Sequence, residues 1–223
     1  MKRTPIAIRT LPNYTRGEEV LNSMSHALGA GLGLAALVLC LIRSVRLGDA
    51  LAITASALYG FSMIAVFSVS SIYHGMKTGY GKKVMQVVDH CIIYLLIAGT
   101  YTVIVLAALR PVFPALAWGL FGFEWGLAAL AAVLTAIDLK KYSVFSMVCY
   151  IGMGWAVIPF WRQVLAVLTL PGFLLLLGGG IAYSIGAVLY GLGRTRKWMH
   201  GVFHIFVVLG GLLQFFCVFF FAL

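Results

Sequence analysis

Residues 84–109 read VMQVVDHCIIYLLIAGTYTVIVLAAL, a run whose only ionisable acid and imidazole, Asp89 and His90, sit near its start. At 1.5 Å per residue, a helix of this length crosses the roughly 30 Å hydrocarbon core of a bilayer. The rest of the chain repeats the pattern, with comparable runs at 20–42, 51–75, 114–136, 143–160, 166–191 and 198–222. The chain is 62% hydrophobic and 10% charged, with mean hydropathy +1.03, which excludes an ordinary soluble domain. The reading is an all-α integral membrane protein, a seven-transmembrane helix bundle, in which the fifth span is the shortest. A membrane β-barrel would need alternating segments of about 10 residues, and none occurs.

Residues 1–19 form a basic cytosolic tail, and 20–223 a single transmembrane domain with short connections and no internal repeat. A signal peptide is not expected, because mostly polar residues precede a first run long enough to span. The net charge of +10 is spread between the apolar runs instead of being gathered on one face, so it reads as a topology signal and not as a nucleic-acid surface. With the N-terminus inside, Lys2, Arg3, Arg9, Arg16, Lys77, Lys82, Lys83, Lys140, Lys141, Arg194, Arg196 and Lys197 fall on the cytosolic side. Only Arg43, Arg46, Arg110 and Arg162 fall opposite, which sets the N-terminus in the cytosol and the C-terminus outside. Cys40, Cys91, Cys149 and Cys217 are scattered without CxxC spacing and read as packing residues.

An ionisable group at membrane depth costs several kcal/mol unless paired, hydrated or metal-bound, so each one needs a reason. Glu18 and Glu19 are expected before the first helix, Asp49 and Asp138 in loops, and only Asp89 and Glu124 within spans. His26, His74, His90, His200 and His204 all fall within about two turns of a cytosolic span end. His200 and His204, spaced i,i+4, share one helix face and can hold one ion. With His74 they make three nitrogen ligands and leave a fourth position for water, the arrangement of catalytic zinc. Asp89 would act on that water as general base, and Ser70, one turn before His74, would orient a ligand or hydrogen-bond a polarised carbonyl. The chemistry implied is hydrolysis of an amide or ester delivered from the lipid. The competing reading is a set of amphipathic side chains reaching the headgroups. His90 points about 100° away from Asp89. His26 would support the site from the first helix, and Glu124 has no evident partner. Gly29 and Gly33, and Gly178, Gly179, Gly180 and Gly186, read as close-packing positions, and Phe215 to Phe221 as lipid-facing.

Several blocks resemble the hemolysin III family, the bacterial branch of the progestin and adipoQ receptor family. They are Glu18-Glu19 with Asn22 and Ser25-His26, then Ser70 to His74, then Asp89-His90 with Tyr94 to Thr102, and His200 to His204 with Gly210-Gly211. The resemblance runs from Glu18 to the end. It implies a seven-helix bundle of the bacterial cytoplasmic (inner) membrane with zinc held by His74, His200 and His204, and with Asp89 reaching the metal through water. It also implies kinship with alkaline ceramidases, hence a zinc-dependent lipid amide or ester hydrolase serving membrane lipid homeostasis, with a membrane lipid as substrate or ligand. Two alternatives stand beside it: a receptor or membrane-state sensor with structural zinc, and, from the family name, a cytolysin. Against the last, no amphipathic pore-lining segment stands out. The chain departs from the family at Gln214, where a further His is common, and at Val103, where a Pro is.

Overall fold

The computed structural model describes residues 4–223; Lys2 and Arg3, which enter the topology count, lie outside the described residues. Its elements are helices: α1 (Arg16–Leu47), α2 (Ala50–Gly75), α3 (Tyr80–Val103), α4 (Pro114–Ile137), α5 (Ser143–Gly154), α6 (Trp161–Leu192) and α7 (Met199–Cys217). Helices α3 and α7 continue as π-helix over Ile104–Leu109 and Val218–Ala222. Six segments of the described residues are long and apolar enough to cross a membrane, with Ser143–Leu192 counted as one of 50 residues.

Local signals set the first helix earlier than hydropathy alone suggests. The Thr15 hydroxyl accepts from the Glu18 N–H at 3.3 Å, while the Glu18 carboxylate accepts from the Thr15 N–H at 2.9 Å. This capping box satisfies two end groups of the helix and puts Glu18 and Glu19 in its positively polarised first turn. The two acids therefore lie inside α1 and not before it, and the tail ends at Thr15. His26 is consequently about three turns into α1, deeper than expected. Gly48, at φ 71, ends α1 in the left-handed conformation, and the Asp49 side chain caps α2. The pair packs almost backbone to backbone: a Cβ at Gly33 would lie 2.7 Å from the Ile64 nitrogen, and one at Gly60 2.5 Å from the Leu37 Cα.

The fifth and sixth spans are drawn differently from the expectation. Helix α5 ends at Gly154, a short turn and a single 3-10 turn (Ile158–Phe160) carry the chain on, and α6 begins at Trp161. The regular helix breaks again at Thr169, with φ 60 and ψ 172, next to Pro171. The Trp155 indole donates to Ser184 Oγ at 3.0 Å and its ring lies against Gly180. Were Trp161–Leu192 a straight helix, Trp161 and Ser184 would stand roughly 34 Å apart. The chain must therefore double back at Thr169, with Trp155 and Ser184 nearly the same number of residues from the turn.

Contacts between loops and helix ends sort the molecule into two ends. At one, Lys83 donates to the Ala7 carbonyl, Thr4 N–H to Asp138 Oδ2, and Trp198 N–H to Glu18 Oε1. At the other, Arg110 pairs with Asp49, Arg43 stacks on Phe219, and Phe221 seats against Gly172.

The tail is docked at the first end. The Arg9 guanidinium bonds the Thr4 and Ile137 carbonyls, and the hydrogen bonds of Thr4, side chain first and then main chain, hold the Asp138 carboxyl down at about 2. Because that value lies below the ordinary carboxylate range, ionised Asp138 favours the docked tail. Its contribution is full above about pH 4 and drains as the pH falls toward about 2. Asp138→Asn should remove it at neutral pH, so that trypsin cuts after the buried Arg9 faster than in the wild type; equal rates would leave the clasp to the Arg9 bonds and the Lys83 bond to Ala7.

Candidate metal centre

His74 ends α2, His200 opens α7 and His204 follows one turn later. Their approach is fixed from outside the apolar runs. Trp198, at φ 67, is the left-handed N-cap of α7; its N–H bonds Glu18 at 2.7 Å, and its ring covers Gly17, where a Cβ would lie 3.0 Å away. The first turn of α7 is thereby pinned to the first turn of α1. A left-handed Trp costs roughly 1–2 kcal/mol, which these contacts offset.

The three imidazoles are 2%, 8% and 1% exposed, and each offers a nitrogen within 4.8 Å of those of the others. His200 Nε2 and His204 Nε2 are 3.1 Å apart. Two nitrogens bound to one tetrahedral zinc at 2.0–2.1 Å would stand roughly 3.3 Å apart, so the pair is already spaced for an ion. His74 Nε2 is buried without a hydrogen-bond partner. An orphaned nitrogen facing two others is a costly arrangement that a divalent cation relieves, and the donor set fits one.

The remaining residues expected at the site fall as follows. Ser70 and Asp89 sit side by side in the wall of the adjoining cavity. His26 stacks on His204 with ring centroids 3.8 Å apart, and both its nitrogens are buried without partners. His90 stands apart: its Nδ1–H donates to the Gln86 carbonyl at 2.8 Å, and its Nε2 lies 3.3 Å from the Tyr190 hydroxyl. Glu124 is elsewhere, fully buried in α4 beside Tyr101, with neither oxygen bonded.

Three residues had no assigned role in the sequence reading. Glu19 Oε2 lies 2.6 Å from His74 Nδ1, and the Lys82 ammonium, 5% exposed, lies 2.5 Å from Glu19 Oε1. Tyr14, from the tail, stacks on His200 at 4.8 Å, and burial pushes its hydroxyl above the ordinary tyrosine value. Glu19 belongs to a quoted sequence block; Lys82 and Tyr14 carry no sequence signal that separates them from other loop residues.

The centre opens onto a cavity of about 690 Å³. Ser70, Asp89 and His200 line its upper wall, while Ile93, Leu96, Ile97 and Val207 make its sides apolar down to Gln214, Tyr183 and Trp155. The tail residues Ile8, Arg9, Pro12 and Tyr14 roof it. Gln214 stands at the lower end of this cavity, ten residues beyond His204, and donates to the Leu176 carbonyl at 3.2 Å.

Residues 14–215 match the family model described as Haemolysin-III related. The chain is 37% identical over 206 residues to "Hemolysin-3" of Bacillus cereus, covering 92% of each chain. It is 33% identical over 209 residues to "Hemolysin-3 homolog" of Bacillus subtilis (strain 168), covering 94% of this chain and 96% of the relative.

Proposed function

Because the chain belongs to the Haemolysin-III related family, we propose that its histidine centre holds zinc and that the protein is a zinc-dependent hydrolase of lipid amides or esters. One observation carries this reading: three buried imidazoles converge beside Asp89 and Ser70 at the head of a cavity whose walls are mostly apolar. A purely structural ion needs no such chamber. A lipid hydrolase does, because the acyl chain must leave the bilayer while its carbonyl meets the catalytic groups.

We take the chain to cross the membrane seven times, with the reversal at Thr169 separating the fifth and sixth crossings. That count agrees with the loop contacts, which gather the tail and the three basic loops at one end. The positive-inside rule then puts that end, and the centre, on the cytosolic side of a bacterial inner membrane.

Bound zinc would polarise the substrate carbonyl and lower the pKa of an adjacent water to about 7. Asp89 takes the proton as the water oxygen bonds the carbonyl carbon. Ser70 is placed beside Asp89 to donate to the carbonyl oxygen. When the C–N or C–O bond breaks, Asp89 returns the proton to the departing amine or alcohol, so that one acid and one amine or alcohol form per water consumed. His26, stacked on His204, fixes that ring's tilt.

The test is to incubate the purified protein in mixed micelles with a panel of lipid amides and esters and to follow free fatty acid by mass spectrometry. Zinc-dependent release of acid, stopped by a chelator and restored by zinc, is the expected result. If chelation lowers thermal stability while no lipid is consumed, the ion is structural and the protein is a membrane-state sensor.

A further inference from the structure

The centre needs more than three ligands in place, because an imidazole binds metal through only one nitrogen and its other nitrogen must carry a proton. For His74 the choice is made by an arrangement that joins the first turn of α1, the last turn of α2 and the first turn of α3. Nδ1 is 2.6 Å from Glu19 Oε2 and 3.3 Å from the Asn22 amide nitrogen; the far shorter contact is to a carboxylate, which can only accept, so Nδ1 holds the proton. Nε2 is left with a free lone pair, and Nε2 is the atom buried without a partner among the converging nitrogens. The other Glu19 oxygen is tied to Lys82 at 2.5 Å, and Lys82 is in turn anchored to the Met76 carbonyl at 3.0 Å. Lys82 thus fixes the carboxylate, the carboxylate fixes the ring, and the loop after α2 fixes Lys82.

Resting on the zinc reading above, we propose that Glu19 is the positioning residue of this centre, selecting the tautomer and orientation of His74, and that Lys82 holds Glu19 in place. Outer partners of this kind typically contribute 10–100-fold to metal affinity. Lys82 also adds positive charge near a divalent ion, which offsets part of what it contributes by holding Glu19.

The experiment is zinc titration of the full-length protein in detergent against a competing chelator, with melting temperatures recorded for chelated and zinc-loaded forms. Glu19→Gln should weaken zinc about 10–100-fold and shrink the zinc-induced rise in melting temperature, over and above any lowering of the chelated form that comes from leaving Lys82 without its carboxylate. Lys82→Met loosens Glu19 but also removes a repelling charge, so it should weaken zinc by less than Glu19→Gln does. Unchanged zinc affinity in Glu19→Gln overturns the proposal, as does equal lowering of the chelated and loaded melting temperatures with the increment intact, the mark of a merely structural residue. Loss of affinity in Lys82→Met equal to that in Glu19→Gln also overturns it. Should Glu19→Gln fail to fold, nitrogen-15 spectra of histidine-labelled, zinc-loaded wild type decide the matter: a protonated Nδ1 on His74 supports it, a metallated Nδ1 defeats it. A wild type that binds no zinc overturns the zinc reading itself and this inference with it.

Discussion

Purified in detergent, the wild-type protein should carry about one zinc ion per chain, and His74→Ala, His200→Ala and His204→Ala should each lose it. The expectation rests on the small ligand number. Three imidazoles leave no spare donor, and His26, the nearest other imidazole, stacks face-on against His204 and so does not point its nitrogens at the same spot. Removal of one ligand should therefore cost more affinity than the 10–100-fold of an outer partner. The three variants should also melt at lower temperature than the zinc-loaded wild type, because an ion bound only by the native state stabilises it. Elemental analysis of the four proteins reads the outcome directly. Metal-free wild type, with a melting point indifferent to chelator and to added zinc, would eliminate both the hydrolase and the sensor.

Asp89→Asn should separate binding from chemistry. Asp89 lies in the cavity wall beside Ser70 and outside the histidine group, so the amide variant should keep its zinc while turnover falls roughly 10²–10⁴-fold, the range that a positioned general base supplies. The substitution conserves shape and removes the acceptor of the proton. Zinc content and initial rate, measured on the same preparation, give three distinguishable results. Retained zinc with lost activity supports the assignment. Lost zinc makes Asp89 a ligand, and retained zinc with full activity removes it as base.

The helical architecture was legible because the bilayer imposes one length scale, and Val84 to Leu109 displays it without ambiguity. What hydropathy averages away was lost. The capping box at Thr15 and Glu18 starts α1 before its apolar run, and the reversal at Thr169 depends on a backbone conformation with only Pro171 as a local sign. Of the centre, the pair His200 and His204 was readable because four residues make one helical turn, and His74 and Asp89 because expensive groups at one depth demand a common explanation. Glu19, Lys82 and Tyr14 come from the polar margins, where charged and aromatic residues are ordinary. Only the pinning of α7 to α1 through Trp198, and the folding of the tail over the mouth, give them a place in the centre.

That folded tail has a kinetic consequence. On the hydrolase reading proposed above, a chamber roofed by Ile8, Arg9, Pro12 and Tyr14 would take its substrate sideways, from the leaflet. The relevant concentration is then moles of lipid per mole of surrounding amphiphile, not moles per litre. Adding inert detergent at constant substrate should slow the wild type by surface dilution, whereas adding buffer at constant micelle composition should leave the rate per enzyme untouched.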